Sequence, residues 1–110
     1  MEIGVVPRLT RPKAASQLRW CLEYGEVVLT KHFRNELANE AISIQDAHDV
    51  LQLGIIYDEP EQDSGTDEWK YRVEGYEPGG KWMAIIFCFK SIKRANLITI
   101  FSIQARRRRS

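Results

Sequence analysis

The first half of the chain carries apolar residues at helical spacing. The pattern predicts a first helix over 13–24, which begins after Pro12 and ends where Gly25 suits a left-handed cap. The apolar side of this helix is made of Ala14, Ala15, Leu18, Cys21 and Leu22. This side is expected to face a hydrophobic core.

Two shorter helices are predicted to follow. Thr30 is suited to cap a helix over 31–39, because its side-chain oxygen can accept from a free backbone N–H. Residues 43–46 have the form of a capping box, which predicts a third helix over 44–53 that stops at Gly54. The inward positions are Phe33 and Leu37 in the second helix and Ile44, Ala47, Val50 and Leu51 in the third.

From residue 55 onward the pattern changes to β, with runs of β-branched and aromatic residues. Four strands are expected, over 55–57, 69–76, 82–90 and 97–103. Turn residues at 78–80 and a polar connection over 91–96 favour antiparallel hairpins, while 26–29 is expected to be a brief extended link. The predicted fold is α+β, with three N-terminal helices packed on one face of a four-stranded antiparallel meander.

Alternation along 69–76 divides the strand between two faces. Lys70, Arg72, Glu74 and Tyr76 fall on the side that we expect to be open, and Trp69, Tyr71, Val73 and Gly75 fall on the other. The preceding segment, 58–68, holds six acidic residues and is predicted to be a solvated loop that repels nucleic acid.

Length and composition indicate one domain over 1–110. Its 110 residues are 44% hydrophobic and 28% charged, which is enough for a single core. We divide it into an N-terminal extension over 1–12, an α+β core over 13–103 and a basic tail over 104–110. The longest apolar run, 83–89, is too short to span a membrane and the first residues lack a secretion signal, so a soluble, cytoplasmic protein without membrane contact is expected.

The formal net charge of +1 conceals an uneven distribution. Without the tail, residues 1–105 carry twelve basic and fifteen acidic side chains, a net charge of −3. The tail cations are Arg106, Arg107, Arg108 and Arg109. Such a tail is suited to phosphates or to an acidic partner, and a solvated chain end is an equal alternative.

Several kinds of chemistry have no support in the sequence. The glycines at 79–80 precede a strand rather than the helix that a phosphate loop requires, and no nucleophile elbow or zinc-binding helix occurs. Cys21 and Cys88 are far apart, with no second Cys or His at metal spacing, and are expected to be small buried residues. No metal and no cofactor are expected.

Polar residues on the second helix and second strand remain as candidates. Lys31, His32 and Arg34 lie in the first turns of the helix, where free N–H groups favour an anion. Glu36 lies one turn after His32 and is placed to orient its imidazole, although a surface His beside a surface Glu is the simpler interpretation. On the strand, Lys70 and Arg72 suit phosphate contact, and Tyr71 or Tyr76 suits base stacking or proton donation, with ordinary strand packing as the alternative.

The order of several short segments resembles a small bacterial family, domain of unknown function 4258. The resemblance covers about residues 27–103 and rests on five stretches: 29–34 (LTKHFR), 42–44 (ISI), 50–54 (VLQLG), 71–75 (YRVEG) and 97–101 (LITIF). That family is similar in fold to the RelE-like and motility quorum-sensing regulator toxins, which in turn resemble barnase-type and colicin-type ribonucleases.

The resemblance implies metal-independent cleavage of RNA by the toxin of a toxin–antitoxin pair. It also implies a cognate antitoxin partner, often with a small zinc-binding domain and a helix-turn-helix. The family's functional positions match His32, Arg34, Tyr71 and Thr99.

One segment departs from the family pattern. Relatives commonly place an arginine before the Gly-Ile that opens the third helix, whereas this chain reads Asn39-Glu40-Ala41-Ile42. Cleavage without a metal needs cations at the transition state. Either Lys31, Arg72 or Lys90 compensates, or the domain binds without cutting.

The sequence therefore predicts an endoribonuclease that binds single-stranded RNA, with a non-catalytic RNA- or protein-binding module as the alternative. The proposed catalytic residues are His32 as acid or base, Arg34 for phosphate charge, Tyr71 for stacking or proton relay, and Thr99 for a hydrogen bond at the floor of the site. The proposed RNA-binding residues are Lys31, Lys70, Arg72, Lys90, Arg106, Arg107, Arg108 and Arg109.

Overall fold

The computed structural model describes residues 5–103, which form three helices and five strands. The helices are α1 (Arg11–Glu23), α2 (Lys31–Glu40) and α3 (Ile44–Leu53). The strands are β1 (Glu26–Leu29), β2 (Glu61–Gln62), β3 (Trp69–Tyr76), β4 (Trp82–Ser91) and β5 (Arg94–Ser102). The predicted α+β class is confirmed.

The first helix starts two residues earlier than predicted. Thr10 is its N-cap and accepts from the Lys13 backbone N–H at 3.3 Å, so Pro12 lies inside the first turn, where its missing N–H costs nothing. At the other end Gly25 does not adopt the expected left-handed conformation. A glycine is needed there because an added Cβ would lie 2.4 Å from the Lys93 carbonyl oxygen.

The predicted caps of the other two helices are confirmed. The Thr30 hydroxyl oxygen accepts from the backbone N–H of Phe33 at 3.2 Å, and that of Ser43 accepts from Asp46 at 3.0 Å. Between the two helices the chain turns through Ala41, whose φ of 58° is left-handed.

The sheet has five strands and is mixed, so the prediction of a four-stranded antiparallel meander is wrong. Its strand order is β1-β5-β4-β3-β2. The segment expected to be a link is β1, which pairs in parallel with β5 from Glu26 opposite Arg94 to Leu29 opposite Leu97. A four-residue strand whose partner lies 68 positions later leaves no local signal of its pairing.

Two other strand predictions also need correction. The run 55–57 makes only one isolated bridge, between Ile55 and Glu74, whereas the two-residue strand β2 lies inside the acidic segment and pairs with β3. The last strand begins at Arg94, because β4 and β5 are joined by a tight turn in place of the expected connection over 91–96. The two predicted hairpins, β3–β4 and β4–β5, are antiparallel as expected.

The sheet separates two environments. On its core face, alternate residues of β3, β4 and β5 join the buried side chains of all three helices in one hydrophobic cluster, which includes Phe33, Tyr71, Ile85 and Leu97. The opposite side, here called the open face, carries the remaining positions of the same strands. Its central members are Lys70, Arg72, Glu74, Trp82, Ala84, Ile86, Cys88, Lys90, Asn96, Thr99 and Phe101.

Candidate nucleic-acid interface

Three of the predicted RNA-binding residues and one predicted catalytic residue lie on the open face. They are Lys70, Arg72, Lys90 and Thr99. Arg72 and Thr99 are both paired with Ile86, from opposite sides, so the three form one row across the sheet. Two strand spacings place the Cα atoms of Arg72 and Thr99 about 10 Å apart. A guanidinium and a hydroxyl are thus available on either side of one apolar residue.

The Arg72 side chain is held by groups from two strands, β3 and β5. Its Nε lies 2.9 Å from Glu74 Oε2, and its guanidinium carbon lies 5.4 Å from the centre of the Phe101 ring. The small Ala84 separates Glu74 from Phe101 in the pairing register, which leaves the space that the guanidinium crosses. The Arg72 side chain is still 34% exposed, so an oriented cation faces solvent.

The carboxylate that orients Arg72 is itself buried. The side chain of Glu74 has no exposed surface, and its Oε1 accepts from the indole N–H of Trp82 at 2.9 Å. The edge of Trp82 packs against the ring of Tyr76, which is 59% exposed. Glu74 does not reach solvent, so its carboxylate contacts Arg72 and Trp82 and is not available for direct contact with a ligand.

The two lysines of the open face are paired with carboxylates of the acidic segment. Lys70 Nζ lies 2.8 Å from Asp63 Oδ2, and Lys90 Nζ lies 2.6 Å from Glu68 Oε2. The bond from Lys70, with backbone N–H groups of Gly65 and Thr66, lowers the pKa of Asp63 to about 2. The carboxylate partners raise the pKa of both lysines. The acidic segment, predicted to be a solvated loop, therefore contacts the open face through two ion pairs.

Tyr71 lies on the core face. Its ring stacks on Phe87 and meets Phe89 edge-on, and only 1% of the residue is exposed. Its hydroxyl oxygen accepts from the Leu9 backbone N–H at 2.8 Å, and burial raises the pKa of the phenol. The ring lies on the other side of the sheet from Lys70 and Arg72, where the helices cover it. It is therefore not available to stack a base.

The three candidates on α2, Lys31, His32 and Arg34, are exposed at the start of that helix. Helix α2 is fastened beside β5, because the Thr30 hydroxyl donates to the Leu97 carbonyl at 2.8 Å. Within residues 5–103, no hydrogen bond or ion pair joins His32 to Glu36, which instead accepts from Asn39 at 3.3 Å. Helix α2 packs on the core face through Phe33 and Leu37, and within residues 5–103 no hydrogen bond or ion pair joins His32 to Arg72.

The segment that departs from the family pattern has a cation beside it. The Lys81 ammonium donates to the Glu40 carbonyl and lies 4.0 Å from the Glu40 carboxylate. Lys81 immediately precedes β4, so the fold brings the start of this strand close to the end of α2. Sequence analysis did not consider Lys81, because the two residues are 41 positions apart.

Sequence analysis also left out Glu74, Trp82, Phe101 and Asn96 as site residues. The signal available was the alternation that set Glu74 beside Arg72 on one face. Trp82 and Phe101 lie on other strands, and only the register of strand pairing brings them beside Glu74 and Arg72. The Oδ1 atom of Asn96 is buried and has no hydrogen-bond partner among the described residues, an arrangement that local sequence cannot reveal.

Some predictions fall outside what the structure tests. The four tail arginines, at 106–109, lie outside the described residues. Within residues 5–103 no group of three or more His, Cys, Asp or Glu side chains is placed to hold a metal ion. None of the described helices has the length and apolar character needed to cross a membrane. Both cysteines are buried and unpaired, as expected.

Comparison with known proteins gives one match. No curated protein and no solved structure matches the chain. A family model described as "Domain of unknown function (DUF4258)" matches residues 29–102 of the 110. The match runs from the end of β1 to the end of β5 and so takes in α2, α3 and the three long strands of the open face. The chain therefore belongs to the DUF4258 family.

Proposed function

We propose that the protein is a metal-independent endoribonuclease of the RelE-like class, the toxin of a toxin–antitoxin pair, and that its open face binds single-stranded RNA. The observation that carries the proposal is the oriented guanidinium of Arg72 in the same row as the Thr99 hydroxyl. A guanidinium presents paired donors that match the oxygens of a phosphate. The ion pair with Glu74 and the contact with the Phe101 ring hold that fork beside the sheet before a ligand arrives.

The rest of the open face offers further contacts to a nucleotide. The exposed ring of Tyr76, backed by Trp82, provides a surface for base stacking. The unpartnered Oδ1 of Asn96 is an acceptor suited to a ribose hydroxyl, the group that distinguishes RNA from DNA. Lys70 and Lys90 serve as further phosphate contacts when they exchange their carboxylate partners for RNA.

In the proposed reaction the ribose 2′-OH attacks the adjacent phosphorus. His32 takes the proton of the 2′-OH, the bond to the 5′ oxygen breaks, and that oxygen takes a proton from water as the next nucleotide leaves. The products are a 2′,3′-cyclic phosphate and a 5′-OH end. The reaction as written requires no oxidant, metal or cofactor. Arg72, with Arg34 and Lys31 at the start of α2, offsets the charge that develops on the phosphorus oxygens.

The test is cleavage of a single-stranded RNA by the purified full-length protein in EDTA. We expect cleavage, and we expect none of a substrate with a 2′-deoxyribose at the cut site. Replacing an acid or base typically costs 10²–10⁴-fold in rate, so His32→Ala should slow cleavage by about that factor. Arg72→Lys keeps the charge but removes the paired donors of the guanidinium. It should slow cleavage more than Lys13→Met, which changes an exposed residue of α1.

A rate of cleavage that is equal in His32→Ala and the parent protein removes His32 from the mechanism. Cleavage that disappears in EDTA and returns with Mg²⁺ contradicts the metal-independent reaction. Expression of the chain from a tightly controlled promoter, with growth and transcript integrity followed, tests the toxin assignment separately from the chemistry.

A non-catalytic RNA-binding module is the second candidate, and the ion pairs of the open face favour it. Lys70, Arg72 and Lys90 each have a carboxylate within 2.9 Å, and the family's arginine is replaced by Glu40. The double variant Asp63→Asn, Glu68→Gln frees two lysines and should tighten RNA binding. If the variant binds RNA more tightly and neither it nor the parent protein cleaves, the module is the better description.

A further inference from the structure

The open face has an aromatic end, made of Tyr57, Tyr76 and Trp82. The ring of Trp82 meets that of Tyr76 edge-on, with 4.7 Å between the ring centres, and lies 6.3 Å from that of Tyr57. Ile55 is bridged to Glu74 and therefore lies on the same face, where it is 53% exposed. Tyr76 is also exposed. This end of the face thus presents to solvent an apolar surface wider than one ring.

The guanidinium of Arg72 leans toward this aromatic end. Its Nε lies 2.9 Å from Glu74 Oε2, and its central carbon lies 5.4 Å from the centre of the Phe101 ring. Glu74 and Phe101 belong to the row of the sheet that follows the row of Arg72 in the direction of Trp82. The guanidinium is therefore one row away from the aromatic end, which is about 7 Å along a strand.

A cation one row from an aromatic surface matches the two ends of a nucleotide. A base stacks on an aromatic ring through its π face, and a guanidinium holds phosphate oxygens with paired donors. The sugar joins the two and spans the row between them. A purine has two fused rings and covers more apolar surface than the single ring of a pyrimidine, so a wide surface favours the purine.

We propose that the aromatic end and Arg72 together bind one purine nucleotide, with the base on Tyr76 and the phosphate on the guanidinium. The inference rests on the proposed function, because it names the nucleotide that the RNA presents at this part of the open face. The side chain of Glu74 has no exposed surface, so the phosphate meets the guanidinium rather than the carboxylate that holds it.

The experiment is a titration of the full-length, ¹⁵N-labelled protein with adenosine monophosphate, followed by heteronuclear NMR. The 3′ and 5′ isomers are both titrated, and the tighter one is used throughout. A mononucleotide has no internucleotide bond, so binding is measured apart from cleavage. Cytidine monophosphate is the ligand matched in phosphate, and adenosine is the ligand matched in base. We expect saturable shifts at the Trp82 indole N–H and the Tyr76 amide, with adenosine monophosphate about threefold or more tighter than either matched ligand.

Two exposed tyrosines provide matched variants. Tyr76→Ala removes the stacking ring and should weaken the binding of adenosine monophosphate by about fivefold or more, whereas Tyr76→Phe keeps the ring and should retain the affinity. Tyr24 is also exposed and also contacts a tryptophan, Trp20, but it lies at the end of α1. Tyr24→Ala should therefore bind like the parent protein. If Tyr76→Ala fails to fold, the comparison of the three ligands on the parent protein still decides.

Equal affinity for the adenosine and cytidine nucleotides, or for adenosine with and without its phosphate, overturns the inference. So does a folded Tyr76→Ala variant that binds adenosine monophosphate like the parent protein. Cleavage of single-stranded RNA in EDTA is followed in parallel. Cleavage without a purine preference means that the inference is wrong and the proposed function stands. A purine preference without cleavage means that the nucleotide site is correct and the catalytic assignment is wrong.

Discussion

Tyr71 illustrates how the environment of a residue changes the use of its chemistry. A tyrosine hydroxyl that reaches solvent can relay a proton. Burial raises the pKa of Tyr71, and its hydroxyl oxygen accepts from the Leu9 N–H. Both effects make the hydroxyl a structural acceptor that anchors the start of α1 to β3. Its place in the core, rather than its residue type, sets its role.

We therefore predict that Tyr71→Phe destabilises the protein and leaves RNA binding and cleavage unchanged. The substitution keeps the ring but leaves the Leu9 N–H without its acceptor, which costs about 1–2 kcal/mol in free energy of unfolding. Urea denaturation and the RNA assay measure the two effects. Tyr76→Phe, on the open face, is the control and should keep the parent stability. A strong loss of cleavage in Tyr71→Phe with normal stability would restore the proton-relay role.

Asp63 provides a prediction about pH. Its folded pKa of about 2 lies below its ordinary value of 3.8, so the carboxylate contributes stability that is fully present above about pH 4. That contribution is lost as the pH falls through the folded pKa. In Lys70→Met the pKa of Asp63 should rise part of the way toward 3.8, since the Gly65 and Thr66 N–H groups still donate to it.

An NMR titration of the Asp63 side-chain carboxyl carbon measures this shift. Lys90→Met is the matched control, because Lys90 pairs with Glu68 and should leave the Asp63 pKa where it is. An unchanged Asp63 pKa in Lys70→Met would mean that the ion pair is absent in solution.

At the scale of elements, the end of α2 carries strain that a sequence change can relieve. Ala41 has φ 58° and ψ 42°, a left-handed conformation in which the Cβ of an L residue is crowded. Glycine has no Cβ and therefore no such penalty. Ala41 thus imposes a backbone cost that a glycine at this position would avoid.

We predict that Ala41→Gly stabilises the protein by about 0.5–1 kcal/mol. The gain is smaller than the strain because glycine also makes the unfolded chain more flexible. Ala38→Gly, inside the same helix and also exposed, should instead destabilise by about 0.5–1 kcal/mol. Thermal or urea unfolding of the two variants gives opposite signs if the left-handed conformation is correct, and a loss of stability in both would refute it.

The whole molecule presents an open face whose charges are balanced in pairs, on a body that is acidic without its tail. Long-range attraction of a polyanion then depends on the four arginines at 106–109. We predict that a chain ending at residue 105 binds RNA more weakly and with a flatter dependence on salt. With fewer phosphate contacts, fewer counterions are released when the RNA binds. Binding measured over a range of salt concentrations gives both quantities.

A truncated chain with unchanged RNA affinity and salt slope would exclude the tail as an RNA contact. If cleavage then also survives while inhibition by the antitoxin weakens, the tail binds the antitoxin. Replacing the four arginines with lysines is the charge-matched control, and it should retain most of the salt slope.

The sequence by itself determined the α+β class, the ends of α3, the caps at Thr30 and Ser43 and the two antiparallel hairpins. These features depend on residues a few positions apart, whose spacing and turn chemistry act locally. Alternation along β3 was likewise sufficient to place Lys70 and Arg72 together, since side chains of a strand face opposite sides in turn.

Only the tertiary structure decided the pairing of β1 with β5, the burial of Tyr71 and the grouping of Arg72 with Glu74, Trp82 and Phe101. Each depends on contacts between residues distant in sequence. Strand register and the choice of which face the helices cover are set by the total apolar area buried, a property of the whole chain. No short segment carries that information, so a residue's type and spacing predict its chemistry but not whether that chemistry reaches solvent.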